Sequence, residues 1–203
     1  GSGLRKGELL RLEIGDGNLA DRAVFIREGK GGKDRVVPLT DKGQREAAAM
    51  AEVLKDVAFD RAICSGLLRT VTTAKTVLGE RPLPLETAPH LEEMRGGDLA
   101  ARAALGPSDY AYTMFRAAEP DARFAAGEPF VEFVGRVVPA FETILADDDW
   151  TTLLLVAHGG VNRAIITNVP GLGLESFGMF EQDSCCLNIL DFDQYYDGTL
   201  LRR

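Results

Sequence analysis

Three short stretches carry residue types able to hold an anion. "AVFI" runs into Arg27-Glu28-Gly29, "DRAICS" runs through Ser65 to Arg69, and "TTLLLVA" runs into His158-Gly159-Gly160. Each begins as an apolar run that reads as a strand. In open α/β sheets, ligands gather beyond the carboxyl ends of strands. Forked guanidinium donors and the free N–H groups of a starting helix match phosphate oxygens. A histidine that ends an apolar strand before Gly-Gly has little packing purpose, and imidazole is the side chain whose charge changes nearest neutral pH. Arg27, Arg69, His158 and Gly159 are therefore expected to form an anion site. His90, beside Pro89, carries no such pattern. No spacing of Cys, His, Asp or Glu resembles a metal-ligand set, so neither metal nor cofactor is expected.

The elements that must position these residues alternate in type. "DKGQREAAAMAEVLKDV" follows Thr40, a possible N-cap, with apolar residues at helical spacing. "DRAICS" reads as a buried strand and "GLLRTVTTAKTVLG" as a helix stopped by Gly79. "LPLE" is a brief strand, and a helix is expected around residues 108–118. "PFVEFVGRVVPAFETILADD" has the period of a long amphipathic helix from Pro129 to about Ala146, despite Pro139. "TTLLLVAHGG" is the clearest strand, with a helix starting at Gly160, and "CCLNILDF" reads as a last strand with Cys185 and Cys186 alternating on it. Strands alternating with helices imply an α/β fold, a three-layer αβα sandwich on a mostly parallel sheet. Residues 4–37 break this rhythm: "LRKGELLRLEI" reads as a short helix, and "RAVFIREG", "KGGK" and "DRVVPL" as a β-hairpin.

At 203 residues and 45% apolar content, the chain can bury one substantial core. Gly1–Gly3 read as a leftover of cloning and residues 4–203 as a single domain. No apolar run approaches the ~18 residues of a membrane span and no secretory leader is visible, so a cytoplasmic protein without membrane contact is expected. The three cysteines lack a bridging pattern and are expected as thiols. Residues 1–40 hold 8 Lys/Arg against 6 Asp/Glu, and the remaining 163 hold 15 against 25, which together give the net charge of −8. An acidic body argues against nucleic-acid binding, because phosphate contacts need clustered cations.

"PLTDKGQREA", "ICSGLLRTVTTAKTV", "LEEMRGG", "GEPFVEFVGRVVPAFETIL" and "LLLVAHGGVNRAII", in that order, resemble the histidine phosphatase superfamily, the phosphoglycerate-mutase-like proteins, over residues 38–192. The resemblance implies a phosphate-clamping role for Arg69, a second pocket histidine in His158, and a leaving-group acid in Glu93, with Glu92 as the fallback. It also implies an Arg-His-Gly at the end of the first strand, whose histidine attacks phosphorus. Arg27-Glu28-Gly29 stands there, so Glu28 replaces the nucleophile.

"GLRKGELLRLEIGD" and "VFIREGKGGKDRVVPL" resemble a tyrosine recombinase (phage integrase) catalytic domain, which implies an arginine-box role for Arg5 and a hairpin-lysine role for Lys30. The downstream boxes of that chemistry are missing. On this reading the chain is a chimera in which residues 4–37 replace the phosphatase's first strand.

A carboxylate about 4 Å from a phosphate, at an effective dielectric near 20, is repelled by roughly 4 kcal/mol, or ~10³-fold in rate. The expectation is a phosphatase-fold protein that is inactive or severely impaired and binds small phosphorylated molecules weakly, with Glu28 between Arg27 and Arg69 as an internal phosphate surrogate. An active phosphomonoesterase or mutase using His158 or Glu28 is the alternative. A non-catalytic chimera is another, in which an unpaired strand edge permits a homodimer.

Overall fold

In the computed structural model, residues 17–18, 23–26, 35–38, 41–196 and 199–202 are described. The strands are β1 (Gly17–Asn18), β2 (Ala23–Ile26), β3 (Arg35–Pro38), β4 (Arg61–Cys64), β5 (Leu85–Thr87), β6 (Leu153–Val156), β7 (Asp193–Tyr196) and β8 (Thr199–Arg202). The α-helices are α1 (Asp41–Val53), α2 (Leu68–Leu78), α3 (Leu99–Ala103), α4 (Pro107–Tyr112), α5 (Phe130–Ala146) and α6 (Gly159–Asn168).

The centre is a parallel sheet of order β5-β4-β6, in which Ala62 faces Leu154 and Ile63 faces Leu155. Successive strand residues point to opposite faces. Ala62 and Leu154 accordingly join Leu54 of the α1 end and Val77 and Leu78 of α2 in one apolar cluster. Ile63, Leu153 and Leu155 join Phe133, Val137 and Phe141 of α5 and Val161, Ala164 and Ile165 of α6 in the other. Two helices on each face of the sheet make the expected αβα sandwich.

α5 shows why the periodicity of the sequence was informative. Phe130, Phe133, Val137, Phe141 and Ile144 are buried at steps of three and four. Phe130 and Phe133 meet the Phe177 ring edge-on, at centroid distances of 5.3 and 6.4 Å. Pro139 lies inside the helix on its exposed side, and the Thr143 hydroxyl donates to the Pro139 carbonyl at 2.9 Å. The helix expected around residues 108–118 is divided into α4 and a 3₁₀ turn, Thr113–Arg116.

Three expectations are corrected. Ala23–Ile26 does not take a place in the sheet beside the His158 strand: it pairs antiparallel with β3 (Ile26 opposite Arg35) and with β1 in a sheet of its own. The hairpin read from the sequence is present, but not the substitution it was to make. Consequently β6 ends the parallel sheet, with a described partner, β4, on one side only. "CCLNILDF" has no neighbouring strand among the described residues; residues 187–192 are not a strand, and Ile189 is 76% exposed. Cys185 and Cys186 are half-buried at a turn where Cys185 has φ 54°, instead of alternating along a strand, while Cys64 is buried in β4; all three are thiols. The β7–β8 hairpin forms later, with Asp193 opposite Arg202.

The helix expected over residues 4–14, the turn 30–33, Thr40, Arg5 and Lys30 lie outside the described residues. No described helix is long and apolar enough to cross a membrane.

Candidate functional site

A channel of about 710 Å³ opens at the carboxyl end of the parallel sheet. It is lined by Leu154, Leu155, Val156, Ala157 and His158 in succession. Consecutive strand residues face opposite sides, so a cavity touching all of them runs along the edge of β6 that has no partner among the described residues. Arg69, Glu93 and Gly159 also line it. The structure thus brings together four of the six residues singled out from the sequence. Arg27 and Glu28 lie outside the described residues.

Each side chain is positioned by its element. Arg69 is the second residue of α2 and its side chain is exposed. His158 is the extended N-cap residue of α6 (φ −136°, ψ 164°) and only 6% exposed. Its Nδ1 accepts a hydrogen bond from Arg69 Nε at 3.2 Å, and its Nε2 lies 2.7 Å from Ser65 Oγ. Burial, and then the nearby Arg69 and Arg136 guanidiniums, push the His158 pKa down from 6.5 to about 4. All of these causes disfavour the imidazolium, so the site holds a neutral imidazole at physiological pH.

Glu93 comes from the loop after the 3₁₀ turn Pro89–Leu91 and crosses to α6. Its carboxylate accepts from the Met94 N–H at 2.9 Å and from the Gly160 N–H at 3.2 Å, at the positive end of the helix. Glu92, the fallback, instead meets Arg95 at 3.5 Å. Gly160 is required for this approach: a Cβ there would collide with Glu93 Oε1 and lie 2.8 Å from the Met94 methyl.

The Glu93 loop is clamped from α5. Arg136 Nε donates to Glu128 Oε1 at 2.8 Å, and its two terminal nitrogens reach the carbonyls of His90, Glu92 and Glu93 at 2.7, 2.8 and 3.2 Å and Glu128 Oε2 at 3.1 Å. Burial opposes charge on Glu128, but the hydrogen bonds from Arg136 and the Arg95 N–H hold its carboxyl below the usual range. His90 contributes a carbonyl and is itself exposed.

Sequence reasoning missed Ser65, Thr70, Gly160 and Arg136 as parts of this site. Ser65 directly follows a strand and Gly160 completes the His-Gly-Gly turn, so both had a positional signal. Thr70 and Arg136 had none, because their roles depend on which carbonyls and hydroxyls the fold brings near them. Among the described residues no cluster of His, Cys, Asp and Glu could hold a metal ion.

The sequence matches the histidine phosphatase superfamily (branch 1) over residues 26–201. It is 30% identical over 162 residues to the adenosylcobalamin/alpha-ribazole phosphatase of Escherichia coli K12, covering 78% of this chain and 80% of that one. Identity to the 2-carboxy-D-arabinitol-1-phosphatase of Triticum aestivum is 28% over 188 residues, covering 85% of this chain and 37% of that one. The fold superimposes on the alpha-ribazole phosphatase from Shigella flexneri with a TM-score of 0.62 at 27% identity, covering 82% and 83% of the two chains. The family match begins at Ile26, inside the segment read as recombinase-like. Residues 26–37 thus fall within the phosphatase match, and none of these comparisons supports a recombinase-like segment.

Proposed function

Because the chain belongs to the histidine phosphatase superfamily, we propose that its channel is a phosphate-monoester site whose hydrolytic power is severely reduced by Glu28 in place of an attacking histidine. The observation that carries the binding half is the joint placement of Arg69, neutral His158 and the α6 N-terminus on one channel. An anion there meets a guanidinium, an uncharged ring and the positive end of a helix, with the carboxylates of Glu93 and Asp183 also on the channel wall. Glu93, held by two backbone N–H groups, is the candidate proton donor to a leaving group. The relatives are phosphatases named for unlike substrates, which supports the phosphate ester as the shared element and leaves the rest of the molecule to the channel walls.

The competing reading, attack by His158 itself, is disfavoured by geometry. Nε2 faces Ser65 and the Nδ1 lone pair takes the Arg69 N–H, so neither nitrogen presents a free pair.

Titration with inorganic phosphate tests the binding half. Arg69→Ala should weaken binding about tenfold or more, the scale of one charge-assisted contact. Equal affinity in the two proteins would reject the pocket. For the catalytic half, Glu28→His should raise p-nitrophenyl phosphate hydrolysis by up to about 10³-fold, the repulsion expected of a carboxylate at that position. No gain would mean that residue 28 does not reach the site.

A further inference from the structure

We propose that Ser65 and Thr70 are positioning residues that lock His158 as its Nε2–H tautomer, through a one-way chain of hydrogen bonds ending on the Leu67 carbonyl. This rests on the reading of His158 as a site residue, but not on which ligand the site takes.

The direction of every bond follows from what each group can do. Arg69 Nε can only donate, so His158 Nδ1, 3.2 Å away, is a bare acceptor. A neutral imidazole has one N–H, which must then be on Nε2 and point at Ser65 Oγ, 2.7 Å away. At the far end, the Thr70 hydroxyl donates to the Leu67 carbonyl at 2.8 Å. Having used its proton, Thr70 Oγ1 can only accept from Ser65 Oγ, at 2.9 Å. Ser65 therefore gives its proton to Thr70 and accepts from His158, while the Leu67 N–H, at 3.4 Å, lies over its second lone pair. The two ends call for the same orientation, and the buried Ser65–Thr70 end is the one that exposed Arg69 cannot replace.

The lock is also sealed. Ser65 is fully buried and Thr70 is 3% exposed, so water does not compete for these bonds. In a dry site a reversed hydroxyl leaves a donor facing a donor, at a cost of about 1–3 kcal/mol for each unsatisfied group. The functional consequence is polarity: the nitrogen left on the Arg69 side of His158 is always the unprotonated one. Arg69 occupies that nitrogen's lone pair, so His158 offers the site neither a proton nor a free pair from this side.

Ring-nitrogen NMR of ¹⁵N-histidine-labelled protein reads the tautomer directly. The chain has two histidines, and exposed His90 serves as the internal reference. Wild type should show Nε2 protonated and Nδ1 bare. Thr70→Ser keeps the hydroxyl and should keep that spectrum. Thr70→Val removes the final acceptor, frees the Ser65 proton to turn toward Nε2, and should produce a second, Nδ1–H population; Ser65→Ala should do the same by removing the acceptor itself. An Nδ1–H tautomer in wild type, or variants with unchanged spectra, would overturn the proposal. If neither variant folds, the wild-type spectrum alone decides. The measurement uses no substrate, so a failed phosphate titration leaves its result standing, and the reverse holds too.

Discussion

Arg136 and Arg69 serve the same site and use their guanidiniums in opposite ways. Arg136 has its side chain 19% exposed and directs hydrogen bonds to three carbonyls and both oxygens of Glu128, with the Phe133 ring 4.8 Å away. Arg69 is exposed, and among the described residues its one hydrogen bond goes to a neutral ring. A guanidinium whose donors are saturated by protein holds a loop in place. One with free donors beside a channel is available to a ligand. Both sit on helices, and what separates their roles is the number of acceptors the fold supplies.

Substitutions should divide along this line. Arg136→Ala leaves the half-buried Glu128 carboxylate with only the Arg95 N–H and frees three carbonyls, and should lower stability in denaturant unfolding by up to about 3 kcal/mol, the lower end of the scale for breaking a buried pair. Arg69→Ala should leave the unfolding midpoint nearly unchanged, as solvated surface positions do. If the two variants lose stability equally, the contrast is wrong.

A pH-dependent effect concerns His158. Its pKa of about 4 in the fold lies below the 6.5 of an unfolded chain, so between these values the unfolded state binds more protons. The stabilisation is complete above pH 6.5 and is lost as the pH falls toward 4, by about 3 kcal/mol in all. His158→Gln should remove this part of the pH dependence, whereas Arg69→Ala should flatten it by taking away one positive neighbour. Identical slopes in wild type and His158→Gln would exclude His158 as its source.

Legibility from the sequence followed the range of the physics involved. The apolar steps of α5 and the strand-to-helix turns at Ser65 and His158 are local patterns, and each was placed within a residue or two. Arg69, His158 and Gly159 were singled out because they stand at strand ends and helix starts, and Glu93 through the family resemblance; all four line one channel. The reading of residues 187–192 as a strand was locally sound, since Leu187, Ile189 and Phe192 are good strand formers. It failed because a strand is stabilised by a neighbour, and β6 has none on that side in the described sheet. For the same reason "TTLLLVA", written like a strand covered on both faces, has Leu155 and Val156 only half-buried along the channel.

By itself, the sequence determined the alternation of strand and helix, the apolar faces that make two cores, and which residue types stand at the strand ends, because these depend on periodicities of two and 3.6 residues and on backbone turns. The tertiary structure alone decided that β2 pairs apart from the parallel sheet, that Arg136 clamps the Glu93 loop, and that Ser65 and Thr70 face His158. Those outcomes depend on hydrogen-bond partners distant in the chain, and a donor cannot be assigned its acceptor until the fold has brought the two within about 3 Å.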